Sequence, residues 1–446
     1  MKPLIRNVTL LLTTLSALLL GGCNGSNTPA NNGLFTVDIT APTEAVTEGD
    51  VAGINIPVSI TRLNGHEAPL TLSIESGEEF VVANFNDNDL VPGSDATTLN
   101  LNVQIADLPI QMHSKTISVV ATDGNAIAKS PVMINVEPTA APDIYLLVGQ
   151  SNMIGFSGDG TKQAFAGGPD EPNPRIKQLN VSGNDPSNFT DRAAFISESV
   201  NAFEPFIVQA EDPLHIPSSG TDNGKDLDYI GLGLSFAKTA LANTTADIIL
   251  VPAAWSATAF CDKEDDPIGH WNAQPNSNPN LGNDWMFLRA VTRANMAIAQ
   301  TNGVLRGILW HQGESDADVR CADLYAANLE SLARELRLNI DADLRGGEAR
   351  RADSNIPFVV GTMSRGSDER DTSVPDYNAE MQLVDSVHRN ISMQLEHSAF
   401  SNHDDLVPAN GFPCGNTTCI HFGPQALREM GVRYYQALLN AATSDN

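Results

Sequence analysis

The sequence predicts a chain of two fold classes: an all-β sandwich over residues 33–137, then an α/β unit with a parallel sheet over residues 143–446. Three observations predict it. Up to Val136 the apolar residues recur mostly at period two, the spacing of half-buried strands. From Asp143 onward, short apolar runs alternate with stretches of helical period, the pattern of a parallel sheet with helices on both faces. Between the two, Pro138 to Pro142 is a linker bounded by prolines. A chain of 446 residues with 41% hydrophobic content has enough apolar material for two cores.

The first residues read as an export signal. Lys2 and Arg6 supply a positive start, and Val8 to Leu20 an apolar run of roughly 13 residues, against the ~20 that a membrane-spanning helix needs. Leu20-Gly-Gly-Cys23 then resembles a bacterial lipoprotein cleavage site. On that resemblance residues 1–22 are removed and Cys23 becomes a lipidated terminus, which anchors a chain to a membrane without spanning it. Ordinary cleavage with a spare cysteine is the competing reading, and no Ala-x-Ala site stands nearby to support it. Asn24 is not the aspartate that marks inner-membrane retention, so the resemblance implies the outer membrane of the cell envelope. Residues 23–32 are a polar tether.

In the β unit, Ile54–Ile60, Leu70–Ile74, Leu99–Val103, Ile117–Val120 and Val132–Val136 largely alternate apolar and polar. Turn signals at Asn64-Gly65, Pro92-Gly93 and Asp123-Gly124 separate them. Short strands so spaced indicate an antiparallel, immunoglobulin-like sandwich. It contains no cysteine, no Trp and no Tyr, so a spacer or packing role is preferred to a sugar-binding module. Asp87-Asn-Asp89 and Asp123-Gly-Asn125 carry no calcium-loop spacing.

In the α/β unit, Ile144–Val148 is a strand buried on both faces. The stretch from Gly155 to Asp228 is long, irregular and rich in Gly, Pro, Asn and Asp, and is expected to be a substrate-facing excursion. Helices are expected over Leu232–Ala242, Trp285–Gln300, Asp323–Leu338, Asp376–Val387 and Pro424–Leu439. Strands are expected at Ile248–Val251, Val304–Trp310, Pro357–Val360 and Ile391–Leu395. Apart from Cys23, the cysteines are Cys261, Cys321, Cys414 and Cys419, an even set that implies disulfides in an oxidising compartment. Their closeness in sequence pairs Cys414 with Cys419, which leaves Cys261 for Cys321. The spacings fit no usual zinc pattern, and no metal or other cofactor is expected. A net charge of −28 argues against nucleic acid as a partner.

Ser151 carries the candidate chemistry. It follows the Ile144 strand by a tight turn through Gly149, at the strand end where open α/β sheets place ligands. The pattern is not the Gly-x-Ser-x-Gly elbow, because Met153 stands at the second glycine position, and an ordinary polar turn is the alternative. Two further stretches bear on it: Trp310-His-Gln-Gly-Glu-Ser-Asp316, and Ile420-His-Phe-Gly423 before the last helix. Together with Gly149-Gln-Ser-Asn-Met153 they resemble the sialate O-acetylesterase-like branch of the SGNH hydrolases, which includes carbohydrate esterase family 6. The resemblance runs from about Asp143 to Leu439.

The resemblance implies a flavodoxin-like three-layer α/β/α domain with five parallel strands, and a serine ester hydrolase that removes acetyl groups from xylan-type polysaccharide or sialic acid. It makes Ser151 the nucleophile and His421 the base. The oxyanion donors are then the Ser151 amide, Gly231 (with Gly233 as the alternative) and Gln312. The family's aspartate three residues before the histidine is here Thr418. Glu314 is the first substitute for the orienting acid and Asp404 or Asp405 the second, with an unassisted dyad also open. Asn152, His311 and Trp271, the last in a polar loop, are the expected substrate contacts. The departure at Thr418 also motivates an alternative, an impaired esterase fold that holds glycans at the surface.

Overall fold

The structure, a computed structural model, describes residues 33–50, 52–75, 81–85, 89–90, 96–106, 108, 114–155, 162–181, 204–215, 229–262, 270–274, 282–340, 355–365, 377–406 and 420–443. The leader, Cys23, the Pro92-Gly93 turn, Thr418, Cys414 and Cys419 lie outside the described residues. Among the described residues no helix is long and apolar enough to cross a membrane.

Among the described residues, 35–137 hold nine strands, β1 (Phe35–Ile39), β2 (Val46–Thr47), β3 (Ile54–Arg62), β4 (Leu70–Glu75), β5 (Val81–Phe85), β6 (Asp89–Leu90), β7 (Ala96–Ile105), β8 (Ser114–Thr122) and β9 (Ile127–Glu137). They form two sheets, ordered β1-β3-β7-β5 and β2-β9-β8-β4-β6. Period two is visible in β9, where Ala128, Ser130, Val132, Ile134 and Val136 are buried while Ile127, Met133 and Glu137 face solvent. The buried sides of both sheets share one core, with Phe35, Ile56, Leu101, Ile117 and Ile134 in it.

A sheet of seven strands among the described residues follows. It comprises β10 (Asp143–Gly149), β11 (Ile176–Leu179), β12 (Ile207–Gln209), β13 (Ile248–Pro252), β14 (Val304–His311), β15 (Phe358–Gly361) and β16 (Ser398–Ser401). The order is β12-β11-β13-β10-β14-β15-β16, parallel throughout except for the β11–β12 pair. Two expectations are corrected here. The Gly155–Asp228 stretch is not wholly irregular, because it contributes β11 and β12 at one edge. Ile391–Leu395 is not a strand: Ile391–Met393 forms a 3-10 turn, and the strand is the more polar Ser398–Ser401. An edge strand needs less apolar sequence than a central one, which is why β16 carries no apolar run.

The helices are α1 (Ser151–Ile154), α2 (Gly233–Leu241), α3 (Trp285–Thr301), α4 (Tyr325–Asn339), α5 (Ala379–Arg389) and α6 (Pro424–Thr443). Side chains of β10 alternate between two cores. Ile144, Leu146 and Val148 meet α3, α4 and α5 on one face, and Tyr145 and Leu147 meet α2 and α6 on the other. That double burial is why the strand reads as a continuous apolar run. Asn378 caps α5 by accepting a hydrogen bond from the Met381 amide at 2.8 Å. Pro424, which needs no amide partner, opens α6.

Arg306, near the start of β14, joins the two parts of the chain. It is 1% exposed. Its Nε donates to Asp143 Oδ1 at 2.7 Å, its Nη2 donates to Glu48 Oε2 at 3.3 Å, and its Nη1 donates to Glu48 Oε1 and to the Leu108 carbonyl. Burial works against the charge, but Glu48 and then Asp143 outweigh it and hold the guanidinium above the usual arginine range.

Cys261 and Cys321 form a disulfide across 60 residues of sequence, beside buried Asp316, whose carboxylate accepts from the amides of Phe260 and Cys261. Closing a loop of that length restricts the unfolded chain by about 4 kcal/mol on the chain-entropy account. The Cys261→Ala, Cys321→Ala double variant should therefore melt clearly below the wild type in non-reducing buffer. Equal melting temperatures would show that the bond contributes nothing to stability.

Candidate active site

The site is assembled at the C-terminal ends of β10 and β14. Gly149 ends β10 at φ +132°, and a Cβ there would lie 2.0 Å from the His311 carbonyl oxygen, so only glycine lets the two strand ends come this close. The Gln150 amide then donates to that same carbonyl at 2.9 Å. Ser151 opens the single turn α1, and Gly155 closes it at φ +107°, where a side chain would strike the Ile230 carbonyl. The hydroxyl is thus fixed at the strand end by a turn with glycine at both exits.

The structure brings Ser151 and His421 together. His421 Nε2 lies 3.0 Å from Ser151 Oγ across 270 residues of sequence. Ser151 is 7% exposed. Burial lowers the His421 pKa below its ordinary value, which favours the neutral ring able to accept a proton.

Asn152, expected to touch substrate, is instead fully buried. Its Nδ2 donates to Glu314 Oε1 at 2.6 Å and to the Ile420 carbonyl at 2.8 Å, and its Oδ1 accepts from the Phe422 amide at 3.0 Å. Glu314 is therefore not the acid on the imidazole: Oε1 holds Asn152, and Oε2 is buried with no hydrogen-bond partner among the described residues. Burial pushes its pKa up to about 7, against the lowering effect of its hydrogen bonds.

The oxyanion expectations are also corrected. The Gly231 amide donates to Asp212 Oδ1 at 3.1 Å, because that buried carboxylate needs donors of its own. Gln312 is fully buried, and its Nε2 donates to the Thr258 carbonyl at 3.1 Å and to Asp316 Oδ2 at 2.7 Å. Both groups are acceptors, so the amide nitrogen must face them and not the serine. Gly233 lies in α2, packed against Leu214 and Leu147.

Three further residues lie elsewhere than expected. His311 is buried, with Nδ1 2.9 Å from the Tyr434 hydroxyl, and burial drives its pKa well down, so it is a neutral part of the core. Trp271 is fully buried, edge-on to Trp310 at 5.0 Å, and donates from Nε1 to Thr258 Oγ1 at 2.8 Å. Its polar sequence neighbours do not report that the loop folds inward, and no sugar ring can stack on it. Asp404 pairs with Arg389 and, at 3.1 Å, with Arg365, while Asp405 pairs with Arg433. Sequence reasoning passed over Trp255, which is only half-buried and whose amide donates to the Gly149 carbonyl at 3.1 Å. Its place just after β13, next to β10 in the sheet, was the available signal.

A serine–histidine pair at the C-terminal edge of a largely parallel sheet with helices on both faces defines a hydrolase-type α/β protein. The chain belongs to the family of carbohydrate esterases described as sialic acid-specific acetylesterase, whose sequence pattern matches residues 141–440. It is similar to the "Probable carbohydrate esterase At4g34215" of Arabidopsis thaliana, at 30% identity over 137 residues. That match covers 30% of this chain and 44% of the plant protein, so the chain spans less than half the length of this curated relative. Among solved structures it is similar to XAC1771, a carbohydrate acetylesterase from Xanthomonas citri, at 15% identity and a TM-score of 0.42, covering 90% of this chain and 73% of that one. It is also similar to NanS, at 17% identity and a TM-score of 0.44, covering 67% and 96%.

Proposed function

We propose that the chain is a serine carbohydrate O-acetylesterase that removes acetyl groups from sugars of the sialic acid or acetylated-xylan kind. The observation that carries this reading is the 3.0 Å contact between His421 Nε2 and Ser151 Oγ in a member of this esterase family. Ser151 Oγ attacks the acetyl carbonyl as His421 Nε2 takes its proton. The sugar hydroxyl leaves with that proton, and water then returns the acetyl group from Ser151 as acetate, with His421 again as base. The Ser151 amide is the expected donor that stays with the nucleophile through both steps. The same contact favours catalysis over an impaired, glycan-holding protein. An SGNH-type layering for residues 143–446, a spacer role for an immunoglobulin-like unit before it, and lipid anchoring at Cys23 in the cell envelope complete the proposal.

The test is acetate release from O-acetylated sialic acid and from acetylated xylan by the full chain. Release from at least one is expected, and none from either would overturn the reading. The pH dependence is a second check. The base must be neutral, and burial lowers the pKa of His421 below the 6.5 of an ordinary histidine. The neutral ring therefore persists to lower pH, and the acidic limb of kcat/KM should have its midpoint below 6.5. A midpoint above that value would remove His421 as the base.

A further inference from the structure

A serine–histidine pair works only while the ring stays in line with the hydroxyl, and displacements of about 1 Å can cost 100-fold. In triad enzymes an acid on the far ring nitrogen holds that alignment. Here Thr418 stands where that acid was expected, Glu314 reaches Asn152 rather than the ring, and Asp404 and Asp405 are taken by arginines.

We propose that Asn152 and Glu314 form one positioning unit for His421, a reading that rests on the acyl-transfer function above. Asn152 grips the peptide groups on both sides of the histidine: Nδ2 donates to the Ile420 carbonyl and Oδ1 accepts from the Phe422 amide. It is also the residue after Ser151. One turn therefore presents the hydroxyl and holds the segment that carries its base. Glu314, from the turn after β14, takes the remaining hydrogen of the same amide at 2.6 Å.

Everything facing Asn152 agrees on one orientation of its amide. Two acceptors, Glu314 Oε1 and the Ile420 carbonyl, face the nitrogen, and one donor, the Phe422 N–H, faces the oxygen. Asn152 is 0% exposed and the Glu314 side chain 3%. Water cannot readily replace a lost partner there, so the clamp is stiff. Holding the backbone at 420 and 422 fixes where the imidazole sits. Asn152 and Glu314 are thus positioning residues, acting through His421.

The test uses the full chain and measures kcat and KM for acetate release, the rate of Ser151 labelling by a fluorophosphonate, and the melting temperature. The variants are Asn152→Ala, Glu314→Ala, Glu314→Gln, and Asn152→Ala with Glu314→Ala. Asn152→Ala should lose about 100-fold in kcat and in labelling rate, with KM nearly unchanged. Glu314→Ala should lose less, and Glu314→Gln, which keeps an acceptor oxygen for Asn152, should recover most of that loss. The double variant should be no slower than Asn152→Ala alone, since the glutamate acts only through the asparagine.

Losses that multiply in the double variant, or an Asn152→Ala kcat within about twofold of wild type, would overturn the proposal. If Asn152→Ala does not fold, the glutamate pair decides: equal kcat in Glu314→Ala and Glu314→Gln would overturn it. Ser151→Ala in the same assay separates this failure from the other. Acetate release by that variant would defeat the acyl-transfer reading itself, whatever the clamp variants do.

Discussion

Ser151→Ala is expected to lower kcat for acetate release by roughly 10⁴- to 10⁶-fold while leaving the fold intact. The substitution removes one oxygen from a nearly buried turn and keeps the backbone that shapes it. The lost rate corresponds to about 5–8 kcal/mol of barrier, at 1.36 kcal/mol per tenfold. The reason is chemical. Without Oγ there is no acyl acceptor, and water placed beside His421 would have to attack in a site shaped for a tethered nucleophile. His421→Ala should fall into the same range, because the hydroxyl is far too weak an acid to act unaided. The two losses should not multiply, since the residues act as a unit. The measurement is kcat on the preferred acetylated sugar, with the melting temperature as the control for folding. A Ser151→Ala variant within tenfold of wild type would end the mechanism.

Arg306→Met should destabilise the chain by about 3–5 kcal/mol, the range for removing one partner of a buried ion pair. Methionine fills much of the space but leaves Glu48 and Asp143 buried without their cation. Both carboxylates would then stay buried without the positive charge that offsets their desolvation. Asp143 starts the strand that ends at Ser151, and Glu48 belongs to the preceding strand-only part, where it also accepts from the Leu108 and Thr139 amides. The strain therefore falls on the junction and on the base of β10 together. Replacing all three, with Glu48→Gln and Asp143→Asn added, should recover part of the loss because no buried charge is left alone. The readout is the denaturation midpoint of each variant. An unchanged midpoint for Arg306→Met would show that water reaches the junction and that the triad carries no stability.

Most secondary structure was legible because period and punctuation are local properties. The α4 face of Leu329, Leu332 and Leu336 lies in the core at the spacing the sequence shows, and β10 is buried on both faces as its unbroken apolar run requires. The misses share one cause. Ile391–Leu395 has the composition of a strand, but sits on the turn out of α5, while β16 is paired only at the sheet edge and needs no apolar run. β11 and β12 are short and lie among Gly, Pro and Asn, so nothing in their own sequence outweighs the loop signal. Trp271 reads as exposed from its neighbours, and is buried because a partner 39 positions away, Trp310, covers it (310 − 271 = 39).

The site divides the same way. Its residue types were readable: a serine after a buried strand, a histidine before the last helix, and an amide and a carboxylate just after a strand between them. Which of them touch was not, because a hydrogen bond across 162 or 270 residues leaves no periodic trace in the chain. By itself the sequence determined the two fold classes, the order of most elements and the candidates for the chemistry, since burial and backbone preference act over a few residues. Only the tertiary structure decided that His421 meets Ser151, that Gln312 and Gly231 spend their N–H groups inside the fold, and that Glu314 reaches Asn152 instead of the imidazole. Each buried polar group must find a partner, and packing alone settles which partner is within reach.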